Sequence, residues 1–140
     1  MKIREIMTDR VSSVSPNSTI QDAARIMKDL NVGSVPVCEG NKPIGIITDR
    51  DIVIRNVATA GDANTPVSQV MTKNIIYGNP NMSDHEAADL MSTRQVRRLP
   101  IVENDNLVGI VALGDLAVND MTDMEASKAL TDISVPSKPQ

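Results

Sequence analysis

Aromatic side chains are almost absent from this chain of 140 residues, which has one tyrosine, no tryptophan and no phenylalanine. Its core must therefore be built from Val, Ile, Leu, Met and Ala. With one cysteine and one histidine, Cys38 and His85, an internal disulfide is excluded and a zinc site is not expected. No apolar run approaches the roughly 18 residues of a membrane span, and the amino-terminal "MKIREIMTDR" lacks the apolar centre of a signal peptide. These absences favour a soluble, cytoplasmic protein.

Positive charge is also scarce, because 14 basic residues face 18 acidic ones and the formal net charge is −4. Broad electrostatic binding of nucleic acid needs a basic face, so that function is not expected. The sequence also contains no GxSxG motif, no P-loop, no metal-ligand cluster and no nucleophile paired with a base. An enzyme is therefore the weakest of the function classes, and we expect no required cofactor.

The chain contains an internal repeat, in which residues 3–27 align with 67–91 and residues 32–52 align with 96–116 without a gap. The residues identical in the two repeats include glycines, prolines and other residues that determine local structure. They include Met7/Met71, Thr8/Thr72, Pro16/Pro80, Ala23/Ala87, Met27/Met91, Pro36/Pro100, Gly45/Gly109 and Asp51/Asp115. Such agreement indicates duplication of one unit, which is the first feature to seek in a sequence.

Each repeat is predicted to have the order β-α-β-β-α, preceded by a short lead helix that ends at Met7 or Met71. Capping boxes at Ser18 and Ser83 open the first long helices, and turn residues join the paired strands that follow. In the first repeat an apolar stripe is predicted at Ile20, Ala23, Ala24, Met27 and Leu30. The predicted strands are Val11–Val14, 34–39 and 43–48, then Ile75–Tyr77, 98–103 and 107–112. The last helices begin near Thr48 and Leu113.

The predicted fold class is α/β (α+β), with two β-α-β-β-α repeats packed about a pseudo-twofold axis. A unit of this size buries too little apolar surface to be stable alone, so the two should pack together. We divide the chain into residues 1–64 (repeat 1 with its linker), residues 65–122 (repeat 2) and residues 123–140 (a C-terminal helix and flexible tail).

The repeated "IMT…P", the "VGSVPV" and "VRRLPIV" strands and "GIITDRD" together resemble the CBS-domain pair, over residues 3–116. The whole chain looks like a stand-alone bacterial protein of that family. The resemblance implies two three-stranded sheets flanked by helices, with a cleft between the repeats. It also implies an adenosine-containing ligand in that cleft, such as AMP, ADP, ATP, NAD or S-adenosylmethionine, as a regulatory ligand.

Thr48 and Asp51 stand where a buried strand runs directly into a helix. Their spacing is that of a capping box, in which the hydroxyl and the carboxylate satisfy the first backbone N–H groups. A helix start at the carboxyl end of a strand is also a site for anions. By resemblance, Thr48 contacts phosphate and Asp51 accepts hydrogen bonds from the ribose hydroxyls. One pair of residues can serve both purposes, since a threonine hydroxyl has one donor and two acceptor lone pairs.

Arg97 and Arg98 precede the "LPIV" strand of repeat 2, and strand alternation points their side chains to opposite faces. They are either solvated or, by resemblance, one of them binds the phosphate of a ligand held by Asp51. A second set of residues lines the adenine pocket by resemblance, although plain core is an equally good reading of them. That set is Ile46, Ile75, Ile76 and Val96. Tyr77 is read as a strand residue rather than a stacking platform.

The second repeat keeps the aspartate, Asp115, but has Ala112 where repeat 1 has Thr48. Repeat 1 in turn has Gly33 and Ser34 where repeat 2 has the two arginines. A site built around Asp115 would therefore lack both phosphate contacts. We expect it to stay empty or to accept a ligand without phosphate.

Two functions from different classes remain open. The first is a sensor that binds an adenosine ligand and changes its partners; the second is a ligand-independent scaffold or interaction module. With either function, the protein would bind a protein target that the sequence does not identify. A homodimer is predicted because the last helices are apolar on more than one face. The residues expected to face the second copy are Ile52, Val53, Leu116 and Val118.

Overall fold

The computed structural model describes residues 1–118, 128 and 130–133, without the side chain of Val118. The helices are α1 (Ile20–Leu30), α2 (Asp49–Asp51), α3 (Asp84–Arg94) and α4 (Leu113–Val118); the strands are β1 (Ser34–Glu39), β2 (Lys42–Thr48), β3 (Arg98–Glu103) and β4 (Asn106–Ala112). Helix α2 continues as a π-helix (Ile52–Asn56) and a 3-10 turn (Val57–Thr59). The mixed helix and strand class in two repeats is confirmed, and the bounds of the paired strands lie within one residue of those predicted.

The chain divides into two compact units. The repeat-1 unit contains Ser12–Ile75 and Asp105–Leu107, and the repeat-2 unit contains Met1–Val11, Ile76–Asn104 and the described residues from Val108 onward. The lead segment of each repeat, defined as residues 1–11 or residues 65–75, therefore folds into the unit of the other repeat. The boundaries at residues 64 and 122 stay predictions. In the predicted C-terminal segment 123–140, residues 128 and 130–133 are helical, and the others lie outside the described residues.

In the repeat-1 unit, β1 and β2 form an antiparallel hairpin in which Ser34 pairs with Thr48 and Val35 with Ile47. Single bridges extend it, a parallel one from Val14 to Val37 and an antiparallel one from Ile46 to Thr72. The predicted first strands are thus wrong. Val11–Val14 is reduced to one bridge at Val14, and Ile75–Tyr77 contains no strand residue, because the bridge of that unit lies at Gly78. A proline two residues after each bridge prevents the ladder from continuing in that direction, because proline has no N–H to donate.

Helix α1 begins one residue later than predicted, because Thr19 rather than Ser18 is its N-cap. The Thr19 hydroxyl accepts from the Asp22 N–H at 3.1 Å, and the Asp22 carboxylate accepts from the Thr19 N–H at 3.0 Å. The Ser18 hydroxyl instead contacts the N–H and hydroxyl of Ser15. In α3 the predicted cap is confirmed, since the Ser83 hydroxyl accepts from the Glu86 N–H at 3.1 Å.

The buried face of α1 is narrower than predicted. Ile20, Ala23 and Met27 are buried in the core of the repeat-1 unit, whereas Ala24 and Leu30 are exposed. The three buried positions follow one face of a helix at i, i+3 and i+7, and the other two lie on its flanks. The rest of that core is aliphatic, as the lack of aromatics requires.

Glycine and methionine recur together where each lead segment crosses a strand. A Cβ added to Gly45 would lie 2.8 Å from the Met71 sulfur, and one added to Gly109 would lie 2.5 Å from the Met7 sulfur. Only glycine lets the lead segment approach this closely. The repeated methionines are therefore packing residues of the two cores, as the sequence indicates.

The predicted dimer face is partly wrong. Leu116 is fully buried and so does not face a second copy, whereas Ile52 packs against the core of its unit but is only half-buried. The side chain of Val118 lies outside the described residues. We call α2 together with the π-helix and 3-10 turn that follow it (residues 49–59) the α2 segment. Its exposed apolar side chains are Val53, Ile54 and Val57, whose exposed fractions are 55%, 50% and 63%.

Candidate functional site

The candidate site lies in the repeat-1 unit, where β2 ends at Thr48 and α2 begins at Asp49. Strand β2 alternates between a buried face and a half-buried face, and Ile46 and Thr48 share the half-buried one. The Asp49 N–H donates to the Gly33 carbonyl at 2.9 Å, which holds the helix start against the residue before β1. No loop separates strand from helix, so the polar side chains are fixed by the hairpin.

Thr48 and Asp51 form a reciprocal capping box. The Thr48 hydroxyl accepts from the Asp51 N–H at 3.0 Å, and the Asp51 carboxylate accepts from the Thr48 N–H at 3.1 Å. The capping interpretation is therefore confirmed. It leaves the hydroxyl hydrogen of Thr48 and further lone pairs of Asp51 for other partners, because a carboxylate offers about four acceptor positions.

Asp51 has further partners that the sequence analysis missed. Its side chain is buried, with 7% of the residue exposed, and its two oxygens lie 3.2 and 3.1 Å from the Thr72 hydroxyl. The Arg55 Nε lies 3.7 Å from Oδ1, one helical turn further along the same element. Thr8 and Thr72 recur at equivalent positions of the two repeats, and this recurrence is the sequence signal that could have identified Thr72.

Arg55 also joins the lead segment to the helix. Its Nη1 donates to the backbone carbonyls of Val70 and Met71 at 3.5 and 3.4 Å, while 54% of its side chain stays exposed. Arg55 is therefore paired both with a carboxylate and with backbone carbonyls. The buried carboxylate, its arginine and the lead segment therefore form one connected polar cluster.

Two predicted apolar residues lie in this unit as well. Ile46 is half-buried and its backbone pairs with Thr72, and Ile75 is half-buried near the end of the lead segment. Ile46 is therefore close along the strand to Thr48 and presents its side chain to the same face. Both isoleucines retain exposed surface, which a residue of the plain core would lack.

The other predicted residues lie in the repeat-2 unit. Arg97 is exposed and its carbonyl accepts from the Leu113 N–H at 2.9 Å, while Arg98 is half-buried as the first residue of β3. Ile76 and Val96 are half-buried and pack against the core of that unit. Whether either arginine joins Thr48 and Asp51 stays a prediction.

The second aspartate, Asp115, keeps half of the capping arrangement. Its carboxylate accepts from the Ala112 N–H at 2.9 Å, as Asp51 does from Thr48. Ala112 has no hydroxyl to return the bond. The two junctions are therefore alike in backbone geometry and unlike in polar side chains, as expected from the sequence.

Within the described part of the chain, no group of three or more His, Cys, Asp or Glu residues is arranged to hold a metal ion. Nor does any helix among those residues have the length and apolar character needed to cross a membrane. Burial raises the pKa of the Cys38 thiol, which keeps this buried side chain neutral at physiological pH.

The chain matches a known domain family and is similar to known proteins. The family model described as "CBS domain" matches residues 3–56 and again residues 67–120. The CBS domain-containing protein YhcV of Bacillus subtilis is 54% identical over 132 residues, which cover 94% of each chain. The sequence similarity therefore extends over both repeats and both strand–helix junctions.

Several solved structures of similar proteins have the same fold as this chain. Hypoxic Response Protein I, whose structure holds two coordinated zinc ions, has a TM-score of 0.79 at 35% identity and covers 85% of this chain and 98% of that one. A CBS domain protein of unknown function from Thermoplasma acidophilum has a TM-score of 0.82 at 24% identity, over 94% of this chain and 75% of that one. The second likeness concerns the fold alone.

Proposed function

The chain belongs to the CBS-domain family, and from that premise we propose that it is a sensor which binds an adenosine-containing ligand at Thr48 and Asp51. A tandem pair of CBS domains is a regulatory module. The ligand class is AMP, ADP, ATP, NAD or S-adenosylmethionine, bound reversibly as a signal and not as a required cofactor. We propose a regulatory rather than a catalytic role, in the cytoplasm.

The observation that carries this proposal is the buried Asp51 carboxylate beside Thr48. A buried carboxylate is costly unless hydrogen bonds satisfy it, and it accepts bonds from a vicinal diol with good geometry. Thr48 has a hydroxyl hydrogen to donate to a phosphate oxygen, and Ile46 supplies apolar surface on the same face. Asp51, Thr48 and Ile46 therefore suit the ribose, the phosphate and the base of the ligand, respectively.

By family resemblance, the proposal also includes residues of the repeat-2 unit, together with Ile75 of the repeat-1 unit. Arg97 or Arg98 binds the phosphate, because a guanidinium offers a planar fork of donors that matches phosphate oxygens. Ile75, Ile76 and Val96 contact the adenine ring. The Asp115 site, which lacks a hydroxyl at Ala112, stays empty or takes a ligand without phosphate. Zinc is not part of the proposal, since the described residues bring no set of metal ligands together.

We also propose a homodimer formed through the α2 segment. Val53, Ile54 and Val57 are all exposed, and they lie close together on the π-helix and 3-10 turn that follow α2. A second copy of the chain would cover them. The protein target of the sensor is unidentified.

One observation favours a second candidate, a ligand-independent scaffold. Asp51 already accepts from the Thr48 N–H and the Thr72 hydroxyl and has Arg55 nearby, so its role in the fold is complete without a ligand. A scaffold would keep this cluster for stability alone.

A thermal-shift panel of AMP, ADP, ATP, NAD and S-adenosylmethionine distinguishes the two. A ligand at 100 times its Kd adds about 2.7 kcal/mol to stability, which raises Tm by several degrees in a protein of this size. The sensor requires a saturable rise with at least one of these ligands. If none raises Tm up to millimolar concentration, the scaffold is the better account.

A further inference from the structure

The Thr72 hydroxyl is placed between the two oxygens of Asp51. Its distances are 3.2 Å to Oδ1 and 3.1 Å to Oδ2, so one hydroxyl is shared almost equally by the carboxylate. A vicinal diol that binds a carboxylate can donate one hydrogen bond to each of its two oxygens. The hydroxyl therefore contacts both of the oxygens that a ribose diol would use.

We infer that Thr72 is a specificity-determining residue, which competes with the two hydroxyls of a ribose for the Asp51 carboxylate. The inference rests on the proposed function, because it concerns the same site. Thr72 is not part of the Thr48-to-Asp51 motif and comes from the lead segment of the other repeat.

The backbone of Thr72 is fixed independently of its hydroxyl. It exchanges two hydrogen bonds with Ile46, at 3.0 and 2.8 Å, and Arg55 holds the two carbonyls that precede it in the chain. A ligand can therefore displace the hydroxyl by turning the Thr72 side chain while the segment stays in place. Displacing the hydroxyl loses about one hydrogen bond to the carboxylate. Only ligands that bind both carboxylate oxygens cause this loss.

Ribose and deoxyribose should respond differently. A ribonucleotide gains two bonds and loses that of Thr72, whereas a 2′-deoxynucleotide donates one bond, which a free lone pair of Asp51 can accept beside Thr72. Thr72 thus lowers the affinity for ribose ligands and leaves that for deoxyribose ligands nearly unchanged. Removing the hydroxyl should increase the preference for ribose.

The test is calorimetric titration of AMP and 2′-deoxy-AMP, and of ATP and 2′-deoxy-ATP, into Thr72→Val, Thr72→Ala and Thr72→Ser. We expect the first two variants to bind the ribonucleotide with roughly tenfold or higher affinity, the equivalent of one hydrogen bond to a charged group, with the deoxynucleotide changed less than about twofold. Thr72→Ser keeps the hydroxyl and should match the wild type. Thr8→Val removes the equivalent hydroxyl of the other repeat and should also match it.

The outcomes separate the two proposals. If wild-type binding is lost in Asp51→Asn but Thr72→Val and Thr72→Ala bind ribonucleotides no more tightly, the inference on Thr72 is overturned and the proposed function stands. Equal gains for ribo- and deoxynucleotides overturn it as well, because a purely structural change would affect both alike. If the folded wild type binds no probe, both proposals fail.

Discussion

Gly45→Ala tests how closely the lead segment must approach β2. The new Cβ would lie 2.8 Å from both the Met71 sulfur and the Thr72 carbonyl oxygen, whereas ordinary contacts begin near 3.4 Å. The methionine end can move, but the carbonyl belongs to the backbone that pairs with Ile46. The lead segment must therefore retreat by roughly half an ångström.

The cost of that retreat follows from the contacts it strains. Overpacking of a core costs about 1–3 kcal/mol, and weakening two backbone hydrogen bonds adds up to about 1 kcal/mol each. Replacing glycine in a strand returns about 0.5–1 kcal/mol. We expect Gly45→Ala to lose about 1–3 kcal/mol of unfolding free energy, measured by urea denaturation.

Gly114→Ala is the matched control, because a Cβ there meets nothing within 4 Å. It lies in helix α4, where alanine is preferred over glycine by about 1 kcal/mol, so this variant should be equally or more stable than the wild type. A Gly45→Ala protein as stable as Gly114→Ala would refute the close approach of the lead segment.

Three further predictions concern stability and assembly. Ala60 has a φ of 61°, so Ala60→Gly should add about 0.5–1 kcal/mol in the same assay, and a loss would contradict the backbone geometry. Hydrogen bonds from Ser92 and then Lys128 lower the pKa of Asp132, so their stabilisation is present above its unfolded pKa and is lost as pH falls through the lower folded pKa. Ser92→Ala should reduce that loss of Tm on acidification below about pH 4, and an unchanged acid profile would contradict it. Val57→Asp should shift light scattering from a dimer towards the 15.1 kDa monomer, and a wild type that is already monomeric at micromolar concentration would refute the dimer.

The sequence predicted the parts of the fold that depend on neighbouring residues. The hairpins follow from alternation and turn residues, and the Thr48–Asp51 box follows from a spacing of three. Contacts between distant segments could not be read in this way. The hydroxyl of Thr72 lies 21 residues from Asp51 along the chain and meets it only because lead segments exchange between units.

Other corrections have the same origin. Periodicity shows that the last helices are apolar on several sides but does not say which side meets the core, so it cannot identify Leu116 as a buried residue. Ser18 and Thr19 are adjacent residues of similar capping preference, and the choice between them was decided by Ser15, which engages the serine.

The contacts of Asp51 also change what its replacement should do to the fold. From the sequence alone, Asp51→Asn should cost about 1 kcal/mol or less, as for a lost cap. With Thr72 and Arg55 on the carboxylate as well, hydrogen bonds to a charged group are lost, and about 1.5–3 kcal/mol is the better expectation. Binding must therefore be measured at a temperature where the variant is folded.

Calorimetric titration of adenosine ligands into wild type, Asp51→Asn and Asp49→Asn tests the central claim most directly. Asp49 lies on the same helical turn but is exposed, and it accepts only a bond from the adjacent Arg50 N–H among those the structure gives for its carboxylate. The account predicts one phosphorylated ligand per chain, at least tenfold weaker binding in Asp51→Asn, and unchanged affinity in Asp49→Asn. Equal affinities in folded wild type and Asp51→Asn, or two equivalent sites per chain, would contradict it.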